Sequence, residues 1–447
     1  MKETLRSGNI CTKLERIAEL ASKHPERAFS SLHHVIDVEW LREAYARTRK
    51  DGATGVDGQT AAQYAANLED NLQSLLQRLQ TGSYRAPPVR RVHIPKGDGR
   101  TRPIGVPTFE DKVLQRAVAM VLEALYEPIF GDVSYGFRPG RSAHDALQRL
   151  WEGQTSMAGG WVLEVDIQSF FDTLDHGRLR SMLDKRVTDG VIRRVIHKWL
   201  KAGVMEQGGV SHPDTGTPQG GVISPILANV YLHEVLDEWF DRDVKPRLKG
   251  RALLVRYADD FVVVFSREDD ARRVMQVLPK RFGGYGLTLH PDKTRLVRFD
   301  RPRPGRGGDD DDESRPGTFD LLGFTHYWGR SYKGAWVIKR RTMSSRLSRA
   351  LVRVNQWCRL HRHLSVAEQH KALGRKLRGH FEYYGITGNF EALQRFARQV
   401  ERIWMKWLGR RSQRGRMNWQ QFVRLRTHHP LPPPRITHSV YRRAANA

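Results

Sequence analysis

Asp259 and Asp260 stand side by side in Val255-Arg256-Tyr257-Ala258-Asp259-Asp260-Phe261-Val262. Apolar runs flank them, Ala252 to Val255 and Phe261 to Phe265, so the stretch reads as two antiparallel strands with paired carboxylates at the bend. Adjacent carboxylates repel unless a cation lies between them. Mg²⁺ is the natural candidate, because it is hard, takes oxygen ligands and is usually held by one or two carboxylates plus substrate phosphates. Taken alone, an Asp-Asp turn is equally compatible with a solvated hairpin. A third carboxylate shifts that balance: Asp166 ends the strand-like run Trp161 to Val165. If the three strands lie side by side, Asp166, Asp259 and Asp260 meet at one sheet edge, with the backbone carbonyl of Ile167 as a further ligand. Two Mg²⁺ ions about 3.5–4 Å apart would then stabilise the attacking and leaving oxygens of an in-line phosphoryl displacement. Such a reaction asks for positioned cations more than for covalent chemistry. Lys96 and Arg102, on a basic hairpin, suit a triphosphate, and Lys293 suits a proton donor near a pyrophosphate leaving group.

The elements that must position these groups follow from periodicity and proline. Residues 1 to about 80 carry apolar positions at helical spacing, interrupted by the Gly-rich loop Lys50 to Gly58. Prolines from Pro87 to Pro107 exclude a helix, so Val89 to Ile94 reads as a strand, Lys96 to Arg100 as a turn, and Arg102 as the start of the return strand. A helix is expected from Glu110 to about Tyr126. The loop Ser134 to Ser142 interleaves aromatic side chains with Arg138 and Arg141, a mixture suited to stacking and phosphate contact, although any surface loop permits it. Further helices are expected from Gly177 to about Ala202, from Ile226 to Asp237 after the loop Gly216 to Gly221, and from Asp269 to Phe282. Residues 301–317 lack apolar anchors and read as a disordered insertion, in which Asp309 to Glu313 is a solvated acidic run. Strand character returns from Phe319 to Trp328. Basic helices follow at Ser344–Leu360, Val366–Tyr384 and Phe390–Leu408, with most of their aromatic residues expected in a core.

The chain has 447 residues and a formal charge of +26, which points to a polyanionic partner. From Ser331 onward there are 26 Lys/Arg against 4 Asp/Glu, so the last quarter carries most of the excess. No apolar run approaches the length of a membrane span, which makes nucleic acid the better partner than a membrane. Two cysteines, Cys11 and Cys358, form neither a disulfide framework nor a zinc site and fit a reducing cytoplasm.

An ordered set of motifs resembles the group II intron reverse transcriptases, also called intron-encoded maturases. In order they are Gly52-Ala53-Thr54-Gly55-Val56-Asp57-Gly58; Ile94-Pro95-Lys96 to Arg102-Pro103-Ile104-Gly105-Val106-Pro107-Thr108; Ser134-Tyr135-Gly136-Phe137-Arg138-Pro139; and Asp166-Ile167 to Phe170-Phe171-Asp172. Then come Gly216-Thr217-Pro218-Gln219-Gly220-Gly221, Tyr257-Ala258-Asp259-Asp260, Asp292-Lys293-Thr294 and Leu321-Leu322-Gly323-Phe324. Lys376 to Tyr384 resembles the family's thumb.

The resemblance implies an α+β right-hand polymerase. The expected divisions are a helical N-terminal extension (1–80), fingers (81–160), a palm of antiparallel sheet with helices on one face (161–335), a basic helical thumb (336–425) and a Pro-rich tail (426–447). Asp166, Asp259 and Asp260 match the metal-binding aspartates, and Lys96 and Arg102 match the residues that hold the triphosphate. Gln219 matches the loop residue against the nucleotide, and Phe171 the position under the sugar. A bulky aromatic there excludes a 2′-hydroxyl, so deoxynucleotides are expected on an RNA template with a DNA primer, and RNA synthesis is disfavoured. Arg138, Arg141, Lys376, Arg378, Arg402 and Lys406 are the candidate nucleic-acid contacts. The implied setting is a bacterial cytoplasm, beside the nucleoid, with structured intron RNA as a further partner. No Cys/His cluster provides the HNH endonuclease of many relatives, so DNA cleavage is not expected. Intron RNA binding as the main task, or a polymerase recruited to defence or repair, are the rival readings.

Overall fold

The computed structural model describes residues 2–95, 101–206, 209–211, 216, 220–302, 316–411 and 417–440. In chain order the helical start comprises α1 (Lys2–Lys23), α2 (Val38–Arg47), α3 (Ala61–Ala65) and α4 (Leu68–Gln80). The hairpin β1 (Val89–Pro95) and β2 (Thr101–Val106) leads into α5 (Phe109–Tyr126) and α6 (Ala143–Ser156). Then follow β3 (Trp161–Val165), the short α7 (Phe170–Thr173), α8 (His176–Asp184), α9 (Gly190–Leu200), β4 (Val204–Glu206), β5 (Gly209–Ser211) and α10 (Ser224–Leu232). The last of these continues in wider π-helical turns to Val244. The central hairpin is β6 (Ala252–Tyr257) and β7 (Asp260–Phe265), followed by α11 (Glu268–Gly283) and β8 (Arg295–Arg298). The chain closes with β9 (Phe319–Leu321), β10 (Phe324–Arg330), β11 (Trp336–Thr342) and four helices, α12 (Ser344–Leu360), α13 (Val366–Tyr384), α14 (Phe390–Leu408) and α15 (Trp419–His428). The sheet that carries the aspartates has the order β6-β7-β3-β8. Helices and sheets together make this an α+β protein.

Two compact units result. The first comprises Met1–Ala146, Val165–Val263 and Arg267–Arg295. Its core is the almost wholly buried α5, with Val113, Leu114, Ala117, Val118, Val121 and Leu122 all at zero exposure. Helices α1 and α2 pack on it, and Trp40 donates its indole N–H to the Ala117 carbonyl at 2.9 Å. The antiparallel hairpin β1–β2 keeps Ile94 opposite Arg102, and β4 adds to β1 in parallel. A buried carboxylate organises this unit. Asp111 accepts from Tyr84, from Trp199 at 2.7 Å and from Gln115 at 3.0 Å. Burial pushes its carboxyl up to about 6 against the pull of those donors. Gln115 in turn accepts from the backbone N–H of Val222 at 2.8 Å, tying down the end of the 216–221 loop.

The second unit comprises Leu147–Glu164, Val264–Ser266 and Leu296–Ala447. Its sheet pairs β10 antiparallel with both β9 and β11. Helices α12 to α15 share a core of Val354, Cys358, Leu373, Leu377, Phe381, Leu393, Phe396, Val400, Trp404 and Phe422. The aromatics expected there are in it, apart from Trp357 and Tyr384, which pack on it half-buried, and Tyr383, which is half-buried against Phe324 and donates to the Leu322 carbonyl. Buried indoles keep partners: Trp404 donates to Gln369 at 3.0 Å and Trp407 to Asn355 at 2.8 Å. No described helix is long and apolar enough to cross a membrane. The acidic run Asp309–Glu313 lies outside the described residues.

Candidate active site

Asp166 leaves the end of β3, and Asp259 follows Ala258 in the turn between β6 and β7. Ala258 holds a left-handed backbone with φ 57°, which closes the turn in the fewest residues. Burial raises the Asp259 carboxyl above its ordinary range, and the charge of Asp166 pushes it the same way, while Arg102 and Arg256 pull it down. Arg102 therefore contributes its charge at the turn. Asp259 is half-buried; Asp260 opens β7 and is exposed, whereas the rest of that strand, Phe261 to Phe265, is buried. Among the described residues no three His, Cys, Asp or Glu side chains gather tightly enough to hold an ion. Asp166 and Asp259 stand near enough for the charge of one to act on the other. Two carboxylates with backbone carbonyls nearby still make an all-oxygen donor set that suits a hard divalent cation.

Lys293 donates to Asp166 Oδ2 at 2.7 Å and supplies a positive charge to that carboxylate. The backbone locks this geometry: His290 N–H donates to the Asp166 carbonyl and Gln168 N–H to the Thr288 carbonyl, each at 2.8 Å. Ile167 is buried between them and bridges to Leu289. Of the adjacent phenylalanines, Phe170 is buried at 2% exposure, whereas Phe171 is half-buried, its ring edge-on to Phe170 at 5.3 Å. Phe171 is therefore not a plain core residue. The loop containing Gly216 starts directly beneath it, because Gly216 N–H donates to the Leu174 carbonyl at 2.8 Å and its carbonyl accepts from His176. At its other end a Cβ on Gly220 would strike Ile104 of β2. Lys96 and Gln219 lie outside the described residues.

The Ser134–Pro139 loop is anchored on the central hairpin. It runs parallel to β6, with Arg256 N–H donating to Val133 and Tyr135 N–H to the Arg256 carbonyl. Arg138 is a correction to the expected phosphate contact. Its side chain is 2% exposed, paired with Glu127 at 2.7 Å and bonded to the carbonyls of Gly131, Ser134 and Phe130, so it has no face left for nucleic acid. Arg141 is half-buried over the Tyr135 ring at 5.4 Å and pairs with Asp132. Lys376, Arg378, Arg402 and Lys406 are exposed on α13 and α14, as phosphate contacts require.

Sequence reading missed the group that supports the turn. Arg256 has zero exposure, pairs through two nitrogens with Asp237, and donates to Asn229 at 3.0 Å and to the Ala258 carbonyl at 3.1 Å. Burial alone would raise Asp237, but the charge and hydrogen bonds of Arg256 outweigh it and hold the carboxyl below its ordinary value. Asn229 also donates to the Gly136 carbonyl at 2.8 Å. Gly136 cannot be anything larger, since a Cβ there would come within 2.3 Å of Ala258 N. The available signal was an arginine in the middle of an apolar strand.

The family described as reverse transcriptase (RNA-dependent DNA polymerase) matches residues 94–326. The group II intron-encoded protein LtrA of Lactococcus lactis subsp. cremoris is 28% identical over 87% of this chain and 76% of its own length. The YkfC protein of Escherichia coli K12 is 33% identical over 64% of this chain and 84% of its own length. Nuclear intron maturase 2 of Arabidopsis thaliana is 28% identical over 43% of this chain and 30% of its own. The chain belongs to the reverse transcriptase family, within its group II intron-encoded, maturase-related branch, and is an RNA-directed DNA polymerase.

Proposed function

We propose that the chain extends a DNA primer on an RNA template with deoxynucleoside triphosphates, using Mg²⁺ held by Asp166 and Asp259, with Asp260 as the adjacent third carboxylate and the Ile167 carbonyl beside them. The observation that carries this reading is the convergence of Asp166, at the end of β3, with Asp259, at the positive-φ turn of the neighbouring strand, close enough for the charge of Asp166 to act on Asp259. Two bound ions would neutralise charge on the attacking and leaving oxygens of the displacement. Arg102, whose charge reaches Asp259, steadies the triphosphate together with Lys96. In this reading Phe171 and Gln219 serve the nucleotide, the half-buried Phe171 being the bulky ring that excludes a 2′-hydroxyl. Lys293 carries a proton beside Asp166 and is available to the departing pyrophosphate.

The fingers, palm and thumb of a right-hand polymerase are the proposed assignment of residues 81–160, 161–335 and 336–425. Exposed Lys376, Arg378, Arg402 and Lys406 grip template–primer or structured intron RNA through phosphates. Binding of the host intron to assist splicing accompanies polymerisation, as the name of the plant maturase relative suggests. The deciding experiment is Asp259→Asn: primer extension is abolished while RNA binding persists. Undiminished extension by that protein removes the metal-site assignment.

A further inference from the structure

Among the described residues five non-glycines hold a left-handed backbone: Phe137, Ala158, Ser169, Ala258 and Leu322. Ala258 precedes Asp259, and Ser169 lies two residues before Phe171. Phe137 differs from the other four in carrying an aromatic ring, at φ 57° and 53% exposure. A glycine would adopt this backbone freely, whereas a bulky side chain is strained in it. An exposed ring repays little of that strain through burial. Strain of this kind persists where the surroundings over-determine it, and it clusters at functional positions.

The surroundings here are rigid on both sides. Gly136 is wedged against the backbone of Ala258, and Arg138 is buried in a cage of carbonyls and Glu127. Phe137 is thus held outward between two fixed points. Its ring centroid lies 6.4 Å from that of Tyr257, two residues before Asp259. Tyr257 ends β6, the edge strand, while Phe171 follows β3, with β7 between them. Two strand spacings, about 10 Å, therefore separate the Tyr257 edge from the strand that leads to Phe171.

We infer that Phe137 is a nucleic-acid-binding residue whose ring stacks on a terminal base of the template–primer and holds the primer end at the Asp166–Asp259 pair. An aromatic face suits this partner because every base offers a π surface. The inference rests on the polymerase reading above and adds the residue that seats the primer rather than the nucleotide.

The test uses the full chain with an RNA template and a DNA primer, and compares Phe137→Gly, Phe137→Leu and Phe137→Tyr. Phe137→Gly keeps or raises the Tm, because the strain is relieved, yet raises the Kd for template–primer roughly 5- to 100-fold, the worth of one base–aromatic stack. Phe137→Leu loses binding similarly, Phe137→Tyr retains it, and the deoxynucleotide KM stays within about twofold in all three. Parental binding by Phe137→Gly, rescue by leucine, or a loss that appears only in the deoxynucleotide KM overturns the inference. Asp259→Asn is run in parallel. If it extends primers, the polymerase reading itself fails; if it is inactive while Phe137→Gly is normal, only the role of Phe137 fails.

Discussion

Arg256 and Asp237 form a fully enclosed ion pair, and a nitrogen of the same guanidinium reaches the carbonyl of Ala258, one residue before Asp259. The polar groups behind the candidate active site are therefore buried, bonded and bound to one turn. Breaking such a pair from one side leaves an uncompensated charge in the interior. Arg256→Met is expected to cost about 3–5 kcal/mol of stability, measured by urea unfolding. Replacing both partners, Arg256→Met with Asp237→Leu, should recover part of that loss while primer extension stays impaired, because the Ala258 carbonyl remains unheld. A single variant as stable as the parent would show that the pair does not support the turn.

Phe171 is half-exposed beside a buried Phe170, so its ring is available to a substrate. Phe171→Val should raise the incorporation of ribonucleotides relative to deoxynucleotides by roughly 10- to 100-fold, the range that a reshaped apolar pocket controls. Single-nucleotide extension with each sugar on one RNA template measures it. An unchanged ratio would return Phe171 to a packing role.

Lys376, Arg378, Arg402 and Lys406 are exposed cations on two helices whose other faces are core. Replacing any one that contacts a phosphate by alanine should weaken duplex binding and lower the slope of log K against log salt by about 0.9. Binding measured across a KCl series gives the slope. Four variants with the parental slope would remove these residues from the interface.

Two histidines should make stability fall in mild acid. Burial holds His326 well below its ordinary value, with the charge of Arg340 adding to the effect, and burial lowers His380 to about 4. His380 stacks on Phe396 at 3.8 Å, and its Nε2 has no partner in the structure. Below about pH 6.5 the unfolded chain binds protons that these folded imidazoles refuse. Stability is therefore complete above pH 6.5 and falls as pH drops, by about 1 kcal/mol per unit for each group, until His380 itself protonates near pH 4. Urea midpoints between pH 7.5 and 5 follow this, and His380→Phe should make the decline shallower. An equally steep decline in that variant would assign the acid sensitivity elsewhere.

Local pattern alone determined much of this protein. The apolar runs around Asp259 fold as β6 and β7, Trp161 to Val165 as β3, and Ser344–Leu360, Val366–Tyr384 and Phe390–Leu408 as helices with the bounds their periodicity implies. The motif order was equally legible, because catalytic side chains must leave the ends of strands and turns that short-range chemistry specifies. Tertiary structure decided what each charge is used for. Arg138 and Arg256 are the same residue type as Arg102 and Arg402, and although the apolar run before Arg256 marks it as unusual, neither local sequence shows which groups the side chain meets. The first two are taken out of water and must spend their donors on carbonyls and carboxylates distant in sequence, whereas the second two remain solvated and free to meet a polyanion. That difference depends on which segments meet in space, and so does the placement of β3, which leads to Asp166, beside β7, which follows Asp259.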